Sequence, residues 1–385
     1  MPPLHPRSTR LAGALLVALT LPLFAQTPAA DPAAAEAAPA DAAATPAPAI
    51  AKNDPAILDA EIEPRASRAL LLDITRTSSG LFAVGERGHA LTSGDDGKTW
   101  TQLKVPTRSA LTAIASADGQ LWAGGHDGVI VHSADGGQTW QRQRVAPWSA
   151  DDQDPTHGVP VLDLMFTDAS NGIAVGAYSL LLVTHDAGVT WTPQKVSLGS
   201  AAPAAAAKPQ GDDWTFSSDQ LALSDEADPH FNAIARTDSG AMVIVGERGT
   251  FLRSTDGGAT WSKGRFPYQG SMFGVMSWPG GGDHILVFGL RGNAYESDDL
   301  GNTWRKVETG GKASLLGGQP LANGGAVLVG ANGLVLTRKD GNSPFVAATF
   351  ANKLGEIPVL AGVQAAESGQ YVLIGDKGAD LYLPK

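Results

Sequence analysis

Four cations share one recurring position in this sequence. Arg87, Arg248, Arg291 and Lys377 each stand third in a Gly-x-x-Gly tetrapeptide. Other members of the series place Asp127, Tyr178 and Asn332 there, the Tyr178 copy reading Gly176-Ala-Tyr-Ser179. A guanidinium offers a planar fork of donors that matches a carboxylate bidentately. Cations repeated at one place in a repeat gather on one face, so this set suits carboxylates of a partner chain, with Arg108 joining from a nearby connection. Trp148, and Trp214 with Phe216, fall in two long connections and add apolar contact. The same turns read equally well as solvated charge, as Glu86–Arg87 and Glu247–Arg248 illustrate. Metal and catalytic chemistry find less support. Asp151, Asp152, Asp154 and His157 could hold a cation, but their spacing fits no calcium loop. His89, His126, His132, His185, His230 and His284 show no ligand spacing, and no cofactor motif is present.

Composition narrows the field. The 385 residues carry a formal charge of −11 and a sequence pI near 5.1. Nucleic-acid binding needs a cationic footprint, which this balance does not provide. Absence of Cys excludes disulfides, thiolate metal sites, a Cys nucleophile and a lipidated N-terminal Cys. Arg7 and Arg10 precede an apolar run from Leu11 to Ala25, which reads as a secretory signal over residues 1–25. That run is short for a spanning helix, so the expectation is a periplasmic or extracellular protein; a retained anchor is the alternative. Residues 26–55 read as an Ala/Pro-rich disordered tether, since Pro blocks a helix and little apolar surface is available to bury.

The positioning elements come from a repeat. Five segments fit S/T-x-D-x-G-x-T-W, with aspartates Asp95, Asp135, Asp186, Asp256 and Asp299 and tryptophans Trp100, Trp140, Trp191, Trp261 and Trp304. A worn sixth copy spans 337–344. The first glycines of the Gly-x-x-Gly series are 40, 51, 70, 43, 41 and 45 residues apart. Seven units with a period near 41 and four short strands each mark a β-propeller. In unit four the strands are expected at 231–236, 241–246, 250–254 and 261–266. Gly-x-x-Gly is the turn between strands two and three, with glycine supplying positive φ. The aspartate pattern turns strand three into strand four, its carboxylate accepting backbone N–H groups and its Trp packing between blades. Unit seven supplies only three strands, at 357–364, 370–375 and 379–383, so residues 56–63 are expected to add the fourth and close the ring. The fold class is thus all-β, a seven-bladed propeller over 56–385, with long insertions at 146–160 and 196–229.

The eight-residue pattern resembles the Asp-box, or bacterial neuraminidase repeat. Its combination with Gly-x-x-Gly resembles the photosystem II stability and assembly factor family and its bacterial relatives, across about residues 56–385. That resemblance implies a non-enzymatic scaffold whose arginine patch holds a client membrane-protein segment. The Asp-box also occurs in sialidases and sortilin-like receptors, so a carbohydrate-active propeller is the competing reading. The sialidase set of an arginine triad, a Tyr–Glu pair and an Asp acid finds no counterpart here. Tyr178 and Tyr268 lack an evident Glu partner, and Gly264-Arg-Phe-Pro267 only loosely echoes the sialidase Arg-Ile-Pro motif.

Overall fold

Short β-rich runs joined by tight turns pair with their chain neighbours, because antiparallel pairing is the arrangement such turns allow. The computed structural model describes residues 50–148, 154–196, 228–366 and 369–384. The expected signal, nearly all of the tether, Asp151, Asp152, Trp214 and Phe216 lie outside the described residues. Seven antiparallel sheets form, at 71–102, 111–144, 161–193, 231–263, 272–306, 315–349 and 360–382. The first six have four strands and the last has three, each in simple sequential order. The second strand of every sheet is almost wholly buried, as in Met242–Gly246. Seven apolar clusters result, one between each pair of adjacent blades. Blade 7 joins blade 1 through Val372 and Ile374 against Leu71, Ile74 and Leu81. The fold is a seven-bladed β-propeller.

Where a turn has two glycines, as six of the seven do, they do different work. At blade 1, Arg87 at the third position has φ 53° and Gly88 at the fourth has φ 70°. The left-handed conformation expected of glycine is therefore shared with the cation. The first glycine is extended, with φ −172° at Gly85. It is required by close approach instead. A Cβ at Gly85 would sit 2.0 Å from the Leu70 carbonyl oxygen, and one at Gly125 2.0 Å from that of Ala110. The cause is a β-bulge near the start of every inner strand, which presses that carbonyl toward the turn. Gly125→Ala is expected to cost about 2–3 kcal/mol, since both clashing partners are backbone. Gly94→Ala, where a Cβ meets nothing within 4 Å, is expected to be near neutral. Urea unfolding of the two variants checks the difference.

Two expectations need correction. The outer strand of blade 4 is only Ser262–Lys263, not 261–266. Residues 56–63 do not form the missing strand of blade 7. Pro55–Ile57 is a 3-10 turn, capped where the Ala56 N–H donates to Asp54 Oδ1 at 2.8 Å. The chain then runs as a strap along the outer edge of blade 1, where the Ala60 N–H donates to Val105 O and Gln102 Nε2 to Glu61 O, both at 2.8 Å. Burial and charge explain the choice. Ala56 is fully buried beside Val105 and Trp140, and the acids of the strap meet Lys104, Arg108 and Arg87 there. Side chains close the ring instead. Arg76 Nη2 donates to Ala365 O at 2.9 Å, and Arg68 pairs with Asp380 at 3.0 Å.

Candidate partner-binding face

One rim of the ring is given over to the aspartate turns, and they are built alike. In blade 1, Asp95 Oδ1 accepts Ser93 Oγ at 2.8 Å and the Thr99 N–H at 2.9 Å, while Oδ2 accepts Thr99 Oγ1 at 2.6 Å. Ser93 Oγ in turn accepts the Gly97 N–H at 2.8 Å. Asp135, Asp186, Asp256 and Asp299 repeat the set. These donors favour the ionised form and hold Asp95, Asp135, Asp256 and Asp299 down to about 2. Each carboxylate is consumed by its own loop. Trp100, Trp140, Trp191, Trp261 and Trp304 pack against the apolar clusters between their own blade and the preceding one. In the worn copy, Asp340 stands one residue later and still accepts Ser343 Oγ at 2.9 Å.

The opposite rim carries the Gly-x-x-Gly turns beside the blade-to-blade connections. Seven non-glycine residues there hold left-handed backbone: Arg87, Asp127, Tyr178, Arg248, Arg291 and Asn332 at the third position, and Ser179 at the fourth position of the blade 3 turn. The seventh turn, with Lys377, is a two-residue hairpin in which only Gly378 has positive φ. Its second residue, Asp376, accepts the Val359 N–H at 2.9 Å. Glu86 and Glu247 do the same for Leu70 and His230. Those acids pin the start of the inner strand.

Several of the cations are already matched. Arg87 meets Glu63 at 3.3 Å and Arg108 meets Glu61 at 2.7 Å; Lys377 meets Glu356 at 3.6 Å. His89, 1% exposed under the strap, has Glu63 at 3.9 Å, and burial pushes its pKa down. Trp148 is 72% exposed, and Tyr178 stands edge-on to His230 at 4.9 Å. Asp154 and His157 lie at 3.7 Å, with no third metal-ligating side chain among the described residues. At blade 5 a cavity of about 540 Å³ opens beside Arg291. A central channel of about 200 Å³ is lined by the inner strands of all seven blades. There Asp73 Oδ2 accepts the Ile114 N–H and Asp163 Oδ2 the Ile234 N–H, both at 2.8 Å, so each carboxylate clasps the next blade.

The model of the DUF6242 beta propeller domain matches residues 62–270, more than half of the chain. The chain belongs to this family. Among solved structures the DUF6242 propeller is similar to YCF48 bound to a D1 peptide, with TM-score 0.60 and 16% identity over 83% of this chain and 94% of that one. It is also similar to YCF48 from Cyanidioschyzon merolae, with TM-score 0.58 and 15% identity over 82% and 96%. A GH74 enzyme from Niastella koreensis gives TM-score 0.59 and 15% identity over 81% of this chain and 52% of that one. At such identities these likenesses concern the fold, and the YCF48 pair bears out the resemblance drawn from the repeats. No curated protein matches the sequence. No helix among the described residues is long and apolar enough to cross a membrane.

Sequence spacing located the turn cations of the DUF6242 propeller but missed what surrounds them. The strap acids Asp59, Glu61 and Glu63 sat in a stretch expected to be a strand. Lys306 stands in the fourth strand of blade 5, where blade 4 has Lys263, a position the reading of the turns did not single out; Lys312, also in the cavity wall, carries no repeat signal beyond the glycine pair Gly310-Gly311 before it.

Proposed function

We propose that the protein is an exported, non-catalytic scaffold that holds a segment of a protein partner, a membrane protein or envelope complex, on the rim of the Gly-x-x-Gly turns. The observation that carries this reading is the placement of Arg87, Arg248 and Arg291 at equivalent left-handed turn positions on one rim of a chain with charge −11. Guanidinium groups so arranged favour a partner that brings carboxylates. Exposed Trp148 and Tyr178 add aromatic contact on the same side, and aromatic residues with Arg are the side chains that dominate protein interfaces. The likeness to YCF48, a structure of which holds a D1 peptide, supports a protein partner. The basic and apolar start of the sequence supports export. Trp214 and Phe216 would extend the surface.

The test is cross-linking in the native envelope followed by mass spectrometry, then a pull-down of the partner found. Changing Arg87, Arg248 and Arg291 together to Glu is expected to abolish capture, and capture that survives would defeat the reading. The competing carbohydrate-active reading leans on the GH74 likeness. Turnover of fluorogenic glycosides that disappears in Arg248→Ala would favour it.

A further inference from the structure

We infer that the cavity at blade 5 is where an acidic segment of the protein partner enters, with Arg291, Lys306 and Lys312 as its carboxylate-binding residues. This deepens the scaffold reading and rests on it. The first ground is the distribution of charge. The chain's own acids neutralise the rim at blades 1 and 7: Glu63 for Arg87, Glu61 for Arg108, Asp59 for Lys104 and Glu356 for Lys377. Around blade 5 the balance is different. Arg291, Lys306 and Lys312 line one cavity, and among the described residues no carboxylate lies within ion-pair distance of any of them. Glu308 shares the wall without pairing with the three. Three open cations in an acidic body form a local attractive well within a repelling field.

The second ground is shape. About 540 Å³ lies within the range of pockets that enclose a ligand, roughly 300–1,000 Å³, and admits a few side chains of an extended peptide. The floor is rigid. Thr309 Oγ1 donates to Gly292 O at 2.7 Å, and a Cβ at Gly292 would lie 2.5 Å from Gly311 O, so turn and connection are in backbone contact. The Arg291 N–H donates to Ser314 Oγ at 3.3 Å, fixing the turn that presents the guanidinium. Gly310 and Gly311 put bare backbone in the wall, and Tyr268 also lines it. A preformed site loses little freedom on binding.

A labelled hexaglutamate peptide tests this by fluorescence anisotropy at low ionic strength, where exposed charges are least screened. Lys306→Gln/Lys312→Gln is expected to weaken binding at least tenfold, and Arg291→Gln severalfold. Lys98→Gln, on the aspartate-turn rim, is expected to leave it unchanged. Binding that the lysine pair does not affect but Arg248→Gln removes would overturn this assignment while leaving the scaffold reading intact. So would a cavity that takes citrate, with the same lysine dependence, and not the peptide. Failure of the peptide to bind wild-type protein also overturns it; the partner pull-down then judges the scaffold reading separately.

Discussion

Replacing Glu296 by alanine is expected to destabilise the propeller by about 3–5 kcal/mol, the cost of leaving a buried charge without its partner. Glu296 is 2% exposed and Arg338 3% exposed, and the two pair across the interface of blades 5 and 6. Arg305 approaches the second carboxylate oxygen from the outer strand, and His284 lies at 3.8 Å. The Arg338 guanidinium is further enclosed by the rings of Trp278 and Phe345, at 5.5 and 5.0 Å. Without Glu296 it keeps those rings and loses its only close carboxylate among the described residues. Arg338→Met should cost less, because Arg305 still serves Glu296. Exchanging both, Glu296→Leu with Arg338→Met, should recover most of the loss, since an apolar pair of similar volume avoids desolvating two charges. Urea unfolding of the three variants measures the ordering. Equal losses for the two single variants would show that the pair does not act as described.

Stability should also fall as the medium turns alkaline, the reverse of the common acid-lability of proteins. Burial in the channel raises Asp73 from 3.8 to about 6 and Asp163 from 3.8 to about 7, with backbone N–H donors opposing the rise and Asp73 adding to that of Asp163. The described channel wall includes no cation to offset them. A folded-state pKa above the unfolded value means that the native form binds the proton more tightly. The contribution is whole below about 3.8 and disappears as pH rises through about 6 and 7. Together the two groups remove on the order of 3–5 kcal/mol between pH 4 and 8, allowing for screening by channel water. The aspartate-turn carboxylates act in the opposite sense, being held near 2 and losing their contribution as pH falls toward that value. The melting temperature should therefore peak between about pH 4 and 6. Asp163→Asn should flatten the alkaline fall, whatever it does to the absolute value, because one of the titrating groups is gone. A wild-type melting temperature that is level from pH 5 to 8 would contradict the account.

The repeat was legible because its chemistry is local. Ser93, Asp95, Gly97 and Thr99 bond within seven residues, so their spacing is itself the structure, and the same holds for the other four turns. Strand order followed, since short turns leave only sequential pairing. The strap at 56–63 was misread because alternation in Ile57-Leu-Asp-Ala-Glu-Ile suits an edge strand of either the first or the last blade. What decides between them is a set of contacts with Lys104, Arg108 and Arg87, far apart in the chain. The glycine turn was read for its φ values, while the clash that forbids a side chain at Gly85 comes from Leu70, fifteen residues earlier. The candidate site divides along the same line. Repeat position gave Arg87, Arg248 and Arg291; Lys306, in an outer strand, and Lys312, in a connection, meet Arg291 in one cavity only through the fold.

Because among the described residues no strand of blade 1 joins the sheet of blade 7, nor the reverse, the junction of the two is a seam rather than a stitch. It is held by an apolar patch, the Arg76 bond to Ala365 O and the Arg68–Asp380 pair. Parting it requires no strand to be stripped from a sheet. The ring therefore has a natural place to gape under tension or heat, and each blade would remain whole while it did so.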